Sequence, residues 1–195
     1  MAAIHSAALA AVLMIGSAAA GAVRDYAAPT FLASFGSAPT VDGRIDEKEW
    51  QDASSFGGFL HNCVLGEDMR DFPLLYVVPT DTTVWAKWDE TNLYLAFRCK
   101  RLRGVPLVHY GKPDQRDTNL CRGDAIEIFI MPNAKKNFFF VGDPGGAIFD
   151  GTNRPDDIAK WIGSWDGRWT YQTNVTDDAW EGELAIPFED LGGPP

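Results

Sequence analysis

The chain has few of the residues that most often announce a chemistry. Only three histidines and three cysteines occur among its 195 residues. His5, His61 and His109 stand alone, and no two of Cys63, Cys99 and Cys121 are close enough in sequence to form a metal knuckle, so a zinc site is not indicated. Basic residues are scarce as well: 17 Lys and Arg face 27 Asp and Glu, for a formal net charge of −10. Phosphate backbones are held by clustered Lys and Arg, so this balance argues against a nucleic-acid partner and, for the same reason, against an anionic membrane surface. No Ser-His-Asp set, P-loop or Gly-rich dinucleotide motif is present, and Gly142-Asp143-Pro144-Gly145-Gly146 reads as a hairpin turn. Long apolar runs are missing too. Residues 2 to 16 fall short of the roughly 18 consecutive apolar residues that a spanning helix needs.

That N-terminal stretch fits a different purpose. Ala7 to Gly16 is apolar and rich in small residues, and Ala18 and Ala20 supply the small side chains that signal peptidase requires. The expectation is a signal peptide over 1–20, cut after Ala20, with Ala22 as the alternative site. Its leading segment offers only the α-amino group and His5 as positive charge. Removing 20 of the 195 residues leaves 175, enough for one domain with a sizeable core. The mature protein is then expected to be secreted or periplasmic, with no membrane association after cleavage. In such an oxidising compartment one disulfide could form, and Cys99 with Cys121 is the favoured pair because Cys99 ends a strand and Cys121 precedes the next long one. Residues 21–37, rich in Ala, Pro and Ser, read as a linker that enters the fold near Phe31, ahead of a domain over 38–195.

Within that domain the hydrophobic period is two rather than 3.6. In Thr83 to Trp88 the side chains of Val84, Ala86 and Trp88 share one face, and after the turn Asp89-Glu90-Thr91-Asn92 the run Leu93, Leu95, Phe97 and Cys99 does the same. These two strands form a hairpin. Ala125 to Met131 sets Ile126, Ile128 and Ile130 against Glu127 and Phe129, Asn137 to Val141 is a short aromatic strand, and Trp169 to Thr176 and Trp180 to Ile186 are two more, the last ended by Pro187. A single helical turn is expected over Asp46 to Trp50, with Asp46 as its cap and Trp50 facing the sheets. Several short strands separated by Gly and Asp turns predict an all-β, two-sheet antiparallel sandwich of jelly-roll type. Ile126, Ile128, Leu95, Phe97, Leu184 and Ile186 are the predicted core.

Four segments carry a family resemblance. Val41-Asp42-Gly43-Arg44-Ile45-Asp46-Glu47-Lys48-Glu49-Trp50 resembles the VDGxxDExxW opening of carbohydrate-binding module family 9. Trp88-Asp89 through Leu93-Tyr94 and Phe97 is similar to its WDxxxLYxxF hairpin, Asp124 through Ile130 to DxxEIFI, and Trp180 through Phe188 to WxxExxIPF. The order and approximate spacing agree over residues 39 to 192. The resemblance implies a secreted sandwich, often appended to a glycoside hydrolase, that binds polysaccharide or oligosaccharide without catalysing its cleavage. The family pattern also continues past its IPF motif with at least one more strand, so the resemblance implies a domain incomplete at its C-terminus.

Sugar recognition needs flat aromatic faces and a few polar groups that pair with hydroxyls. The resemblance implies that Glu127 hydrogen-bonds the sugar, and alternation independently sets Glu127 apart as the charged side chain opposite three isoleucines. Two family positions are not preserved: Cys121 stands where a stacking Trp is found, and the sugar-contacting Arg aligns with Phe140. The second stacking Trp would lie beyond Pro195. Sugar binding must then use other aromatics, and Trp161, Trp165 and Trp169 are the candidates, in and beside a loop with Gly163, Ser164, Asp166 and Gly167. No catalytic residue and no metal ligand is assigned. Acidic loops such as Asp150-Gly151-Thr152-Asn153 and Asp156-Asp157 could supply hard oxygen ligands to a structural calcium. The alternative function is a related sandwich used for protein contact or for haem, with His61, His109, Met69 and Met131 as the residues able to serve as axial ligands.

Overall fold

A computed structural model describes residues 31–59, 80–101, 104–117, 120, 123–133, 135–154, 157–162 and 165–193. The expected signal peptide, Cys63, Cys121, His61 and Met69 lie outside the described residues. Ten strands follow one another among the described residues: β1 (Ser34–Phe35), β2 (Ser54–Phe59), β3 (Thr80–Trp88), β4 (Asn92–Lys100), β5 (Ile126–Asn133), β6 (Lys136–Gly142), β7 (Ile148–Arg154), β8 (Asp157–Ile162), β9 (Thr170–Val175) and β10 (Ala179–Pro187). They build two sheets, one of six strands in the order β1-β3-β4-β10-β9 with β2 also paired to β3, and one of four in the order β5-β6-β7-β8. The architecture is the all-β sandwich that the alternation predicts.

One pairing departs from the antiparallel expectation. β1 runs parallel to β3, with Ser34 opposite Lys87 and Phe35 opposite Trp88. The rings explain the docking: Phe35 meets Trp88 edge-on at 4.9 Å, and Phe31 lies 3.8 Å from Phe56. The segment read as the end of a linker therefore packs on the sandwich from Phe31 onward.

The strands alternate as their sequences require. Val84, Ala86 and Trp88 of β3 stand opposite Phe97, Leu95 and Leu93 of β4, and Leu95 and Leu93 stand in turn opposite Leu184 and Ile186 of β10. Those faces meet Ile126, Ile128, Ile130, Phe138 and Phe140 of the other sheet in one core. Phe97, Leu184 and Ile186 are fully enclosed, and Leu95, Ile126 and Ile128 pack against the same cluster. Each such side chain contributes about 1.5–3 kcal/mol of transfer free energy. Edge-to-face contacts between Phe97 and Trp180, and between Phe140 and Trp169, add directionality at centroid distances of 5.0 and 5.3 Å.

The six-stranded sheet is also covered on its outer face. Residues 41–53 lie across it, and Trp50 is buried with Tyr94 and Ala96. Asp46 starts the expected turn: its carbonyl accepts from the Glu49 and Trp50 amides, and its carboxylate from the Lys48 amide. Glu183, pointing outward between the inward Gly182 and Leu184, accepts the Trp50 indole N–H at 2.7 Å and the Asp42 and Gly43 amides at 3.0 and 2.9 Å. Gly43 can lie this close because it has φ +86° and no side chain; a Cβ there would sit 2.7 Å from the Thr173 backbone. Beside it the enclosed Lys87 ammonium donates to the Glu49 carbonyl and, at 2.8 Å, to Asp52, and lies 5.1 Å from the Trp50 ring. The first and last motifs of the family resemblance are thus two halves of one hydrogen-bonded unit.

Candidate functional site

The four-stranded sheet presents a different outer face. Glu127 and Phe129 of β5 stand opposite Val141 and Phe139 of β6, and Val141 stands opposite Phe149 of β7. Phe129 and Phe139 stack at 4.5 Å, and Phe139 meets Phe149 edge-on at 6.0 Å. Leu120, Val141 and Ala147 are enclosed against Ala125, Phe139 and Phe149. Glu127 is exposed at the rim of this apolar patch and makes no hydrogen bond or ion pair among the described residues. A carboxylate on a sheet face with no protein donor keeps all its lone pairs for a ligand.

The segment between β4 and β5 wraps the end of this sheet, and three contacts fix it. Asp124 donates its amide to the Val108 carbonyl and accepts the Val108 amide on its carboxylate, both at 2.6 Å. Gly111 donates to Asp143 at 2.8 Å, and Asp143, fully enclosed in the turn between β6 and β7, also accepts from the Gly145 and Ala147 amides. The predicted hairpin turn is therefore organised around its aspartate. Further on, Arg116 bridges Ile148 in a parallel sense, with Gln115 and Asp117 exchanging backbone hydrogen bonds with Ile148. Val105, Val108 and Tyr110 remain exposed on this segment. Beside it, a recess of about 350 Å³ is lined by Arg101, Pro106, Leu107, His109, Pro144 and Val175.

Two of the predicted tryptophans, Trp165 and Trp169, pack toward the interior. Trp169 is 4% exposed, its ring lies against Phe140, and its indole N–H donates to Asp150 at 2.6 Å. Trp165 is half-buried and packs on Phe138 and Phe140 at 5.0 and 5.9 Å. Both pack into the gap between the sheets, and Trp169 is enclosed there while Trp165 stays partly exposed. The backbone of Trp161 lies in β8 opposite Asn153 rather than in a loop. Phe140 stands on the inner face and is fully enclosed, so no residue at that position could reach a ligand beside Glu127. Phe139 and Val141 are the β6 residues on the outer side.

Asp117, Asp150 and Asp166 bring carboxylate oxygens within 4.8 Å of one another. Asp150–Asn153, read from the sequence as an acidic loop, lies instead within strand β7, and Asp150 already accepts from Trp169, from Arg116 at 2.5 Å and from the Gly167 amide at 3.3 Å. Burial pushes its pKa up, while the indole and the guanidinium oppose that rise. Arg116 also lies 3.7 Å from Asp166. The guanidinium thus offsets part of the negative charge of this cluster and engages one oxygen of Asp150. Asp156 lies outside the described residues. Cys99 carries a free thiol, and burial raises its pKa.

Paired acid–base catalysis finds no support in the carboxylates that could be matched for it. Asp124 is occupied by Val108, and Glu183 is enclosed by Trp50 and two amides, so neither could flank a glycosidic bond with Glu127 or Asp177.

The class that this arrangement defines is a β-sandwich with one covered outer face and one that carries a carboxylate with no partner among the described residues. The sequence matches no protein-family model and no curated protein. Among solved structures it is similar to a carbohydrate-binding module of family 9 from Caldicellulosiruptor kristjanssonii in complex with glucose, at 18% identity and a TM-score of 0.49, over 79% of this chain and 66% of that one. The same is true of a family 9 module from that organism in complex with cellotriose, at 18% identity and a TM-score of 0.47, over 79% and 65%. A protein of Bacteroides uniformis proposed to bind carbohydrate is similar at 11% identity and a TM-score of 0.48, over 60% and 56%. The chain spans between 56% and 66% of the lengths of these three.

Proposed function

We propose that this is a non-catalytic carbohydrate-binding domain that holds a saccharide on the outer face of the four-stranded sheet, with Glu127 accepting hydrogen bonds from sugar hydroxyls. The observation that carries the reading is the exposed, unpaired Glu127 beside an aromatic patch, at the residue where the family resemblance places its sugar ligand. Carboxylate-to-hydroxyl bonds are charge-assisted and directional, and apolar neighbours suit the C–H face of a pyranose. Trp161 remains a candidate contact, while Trp165 and Trp169 act as packing anchors.

Calorimetric titration against glucose, cellotriose and a panel of insoluble glycans tests this. Dissociation constants on the order of micromolar to millimolar are expected for a shallow site. Glu127→Gln weakens binding at least tenfold, and Trp161→Ala weakens it if that ring contributes. Absence of binding to every glycan overturns the reading. We further propose that the protein is exported, cleaved after Ala20, and serves polysaccharide degradation by an attached or partner glycoside hydrolase; the mass of the exported protein checks the cut.

A second reading, protein contact, draws on the exposed Val105, Val108 and Val175 around the recess. Val108→Asp and Val175→Asp would then abolish association with a partner and leave glycan titrations unchanged. For haem, no contact brings His109 and Met131 together among the described residues.

A further inference from the structure

The recess of about 350 Å³ lies where β4 and β9 end beside the turn between β6 and β7, and most of its lining is apolar: Pro106, Leu107, Pro144 and Val175. Its polar side chains are Arg101 and His109. Arg101 is half-buried and held at two points, since its amide donates to the Asp178 carbonyl at 2.8 Å and its Nη1 donates to the Thr176 carbonyl. The rest of the guanidinium is uncommitted. Its Nε is shielded from water and has no hydrogen-bond partner, and among the described residues neither Nη2 nor the charge as a whole has one. This occurs in a chain where 27 acidic residues outnumber 17 basic ones. The acids fixed on the adjoining segment do not compete: Asp124 accepts the Val108 amide, and Asp143 accepts from Gly111, Gly145 and Ala147. Nη1 is the nitrogen on the Cδ side of a guanidinium, so its bond to Thr176 leaves the opposite edge intact, where the Nε and Nη2 protons run parallel. That edge is the fork that fits the two oxygens of a carboxylate. A shielded donor without an acceptor is unfavourable, and an oxygen brought to this edge relieves it. The ring of His109 is oriented too, with Nδ1 3.3 Å from the Gly111 carbonyl.

We propose that this recess is a second binding site, one for a small monocarboxylate with an apolar body, whose carboxylate meets the Nε and Nη2 edge of Arg101 while the body lies against Pro106, Leu107, Pro144 and Val175. The volume is at the small end of ligand clefts, which suits a molecule of this size. Charge sets the class further: one guanidinium matches one negative charge, and the net charge of −10 repels anions that carry more. Burial of the body against the apolar walls supplies the remaining attraction. The inference goes beyond the carbohydrate reading and does not rest on it, because none of these residues belongs to the patch beside Glu127.

The test is a calorimetric titration of the full chain with phenylacetate and hexanoate, set beside phenylacetamide, hexanamide, acetate and inorganic phosphate. Both acids are expected to bind with dissociation constants on the order of 0.1–1 mM. The amides lack the charge and acetate lacks the body, so each is expected to bind at least tenfold more weakly, and phosphate not at all. Arg101→Lys keeps the charge but loses the fork, and weakens both acids about tenfold, whereas Glu127→Gln leaves them unchanged. In wild type the Nε–H resonance of Arg101 moves on adding phenylacetate and stays in place on adding phenylacetamide, a readout that stands even if the lysine variant fails to fold. No binding of either acid at millimolar concentration, amides that bind as well as the acids, or an unmoved Nε–H resonance overturns the proposal. So does acid binding that Arg101→Lys leaves intact or that Glu127→Gln removes.

Discussion

On the outer face of the six-stranded sheet the enclosed Lys87 and Glu183 are both paired, whereas on the outer face of the four-stranded sheet the rim carboxylate of Glu127 has no partner among the described residues. Lys87 is held by Asp52 and the Glu49 carbonyl, and Glu183 by an indole and two amides. Glu127 has none of these. The two carboxylates illustrate what a motif position can mean. Glu183 is a structural residue whose loss leaves donors stranded, and Glu127 is an exposed residue whose loss is expected to leave the fold intact. The difference lies in covering: residues 41–53 lie over one sheet, while among the described residues the other is wrapped at its end.

Substitutions that break the covered face are expected to have the largest effects. Glu183→Ala strands the Trp50 indole N–H and the Asp42 and Gly43 amides in the interior, and a loss of about 3–5 kcal/mol in urea denaturation is expected. A loss below 1 kcal/mol would mean that this segment is not anchored as described. Lys87→Met replaces an enclosed cation with an apolar chain of similar length and leaves Asp52 unpaired, for an expected loss of about 1–3 kcal/mol by the same measurement. Asp52 offers a pH-dependent version of the comparison. The Lys87 ammonium beside it lowers its pKa to about 2. Its stabilisation is therefore fully present above the usual aspartate value and is lost as pH falls toward 2. With the carboxylate one-third exposed, the contribution is roughly 1 kcal/mol after solvent screening. Asp52→Asn should flatten the acid limb of the stability profile between pH 4 and 2, and an unchanged slope would discard the pairing. At the small end, Glu127→Gln should alter thermal stability by less than about 0.5 kcal/mol while weakening glycan binding. A destabilised Glu127→Gln would show that the two faces are more alike than their contacts indicate.

Much of the sandwich was legible because alternation is a strong local signal. The inner residues of β3, β4, β5 and β10 fall where period two puts them, since shifting any strand by one residue would expose a whole hydrophobic set. The outward projection of Glu127 follows from the same rule. What was not legible depends on contacts between segments distant in sequence. Trp165 and Trp169 sit among Gly, Ser and Asp, a composition that suggests display, yet the space between the sheets beside Phe138 and Phe140 draws their rings inward. Phe140 was matched to a ligand position by its place in an alignment, and only strand register shows that it faces the core. Tyr110 has no periodic neighbours at all; its exposure follows from the grip of Asp124 and Asp143 on residues around it, which no local pattern encodes.

The bond from Gly43 to Glu183 joins residues 140 positions apart. A nascent chain cannot close it until the last strand has been synthesised, so the opening motif must wait, with Trp50 and its neighbours exposed, for its acceptor to arrive. Contacts of such long sequence separation slow folding and prolong the life of partly covered intermediates. The covered face is thus the one expected to be completed last.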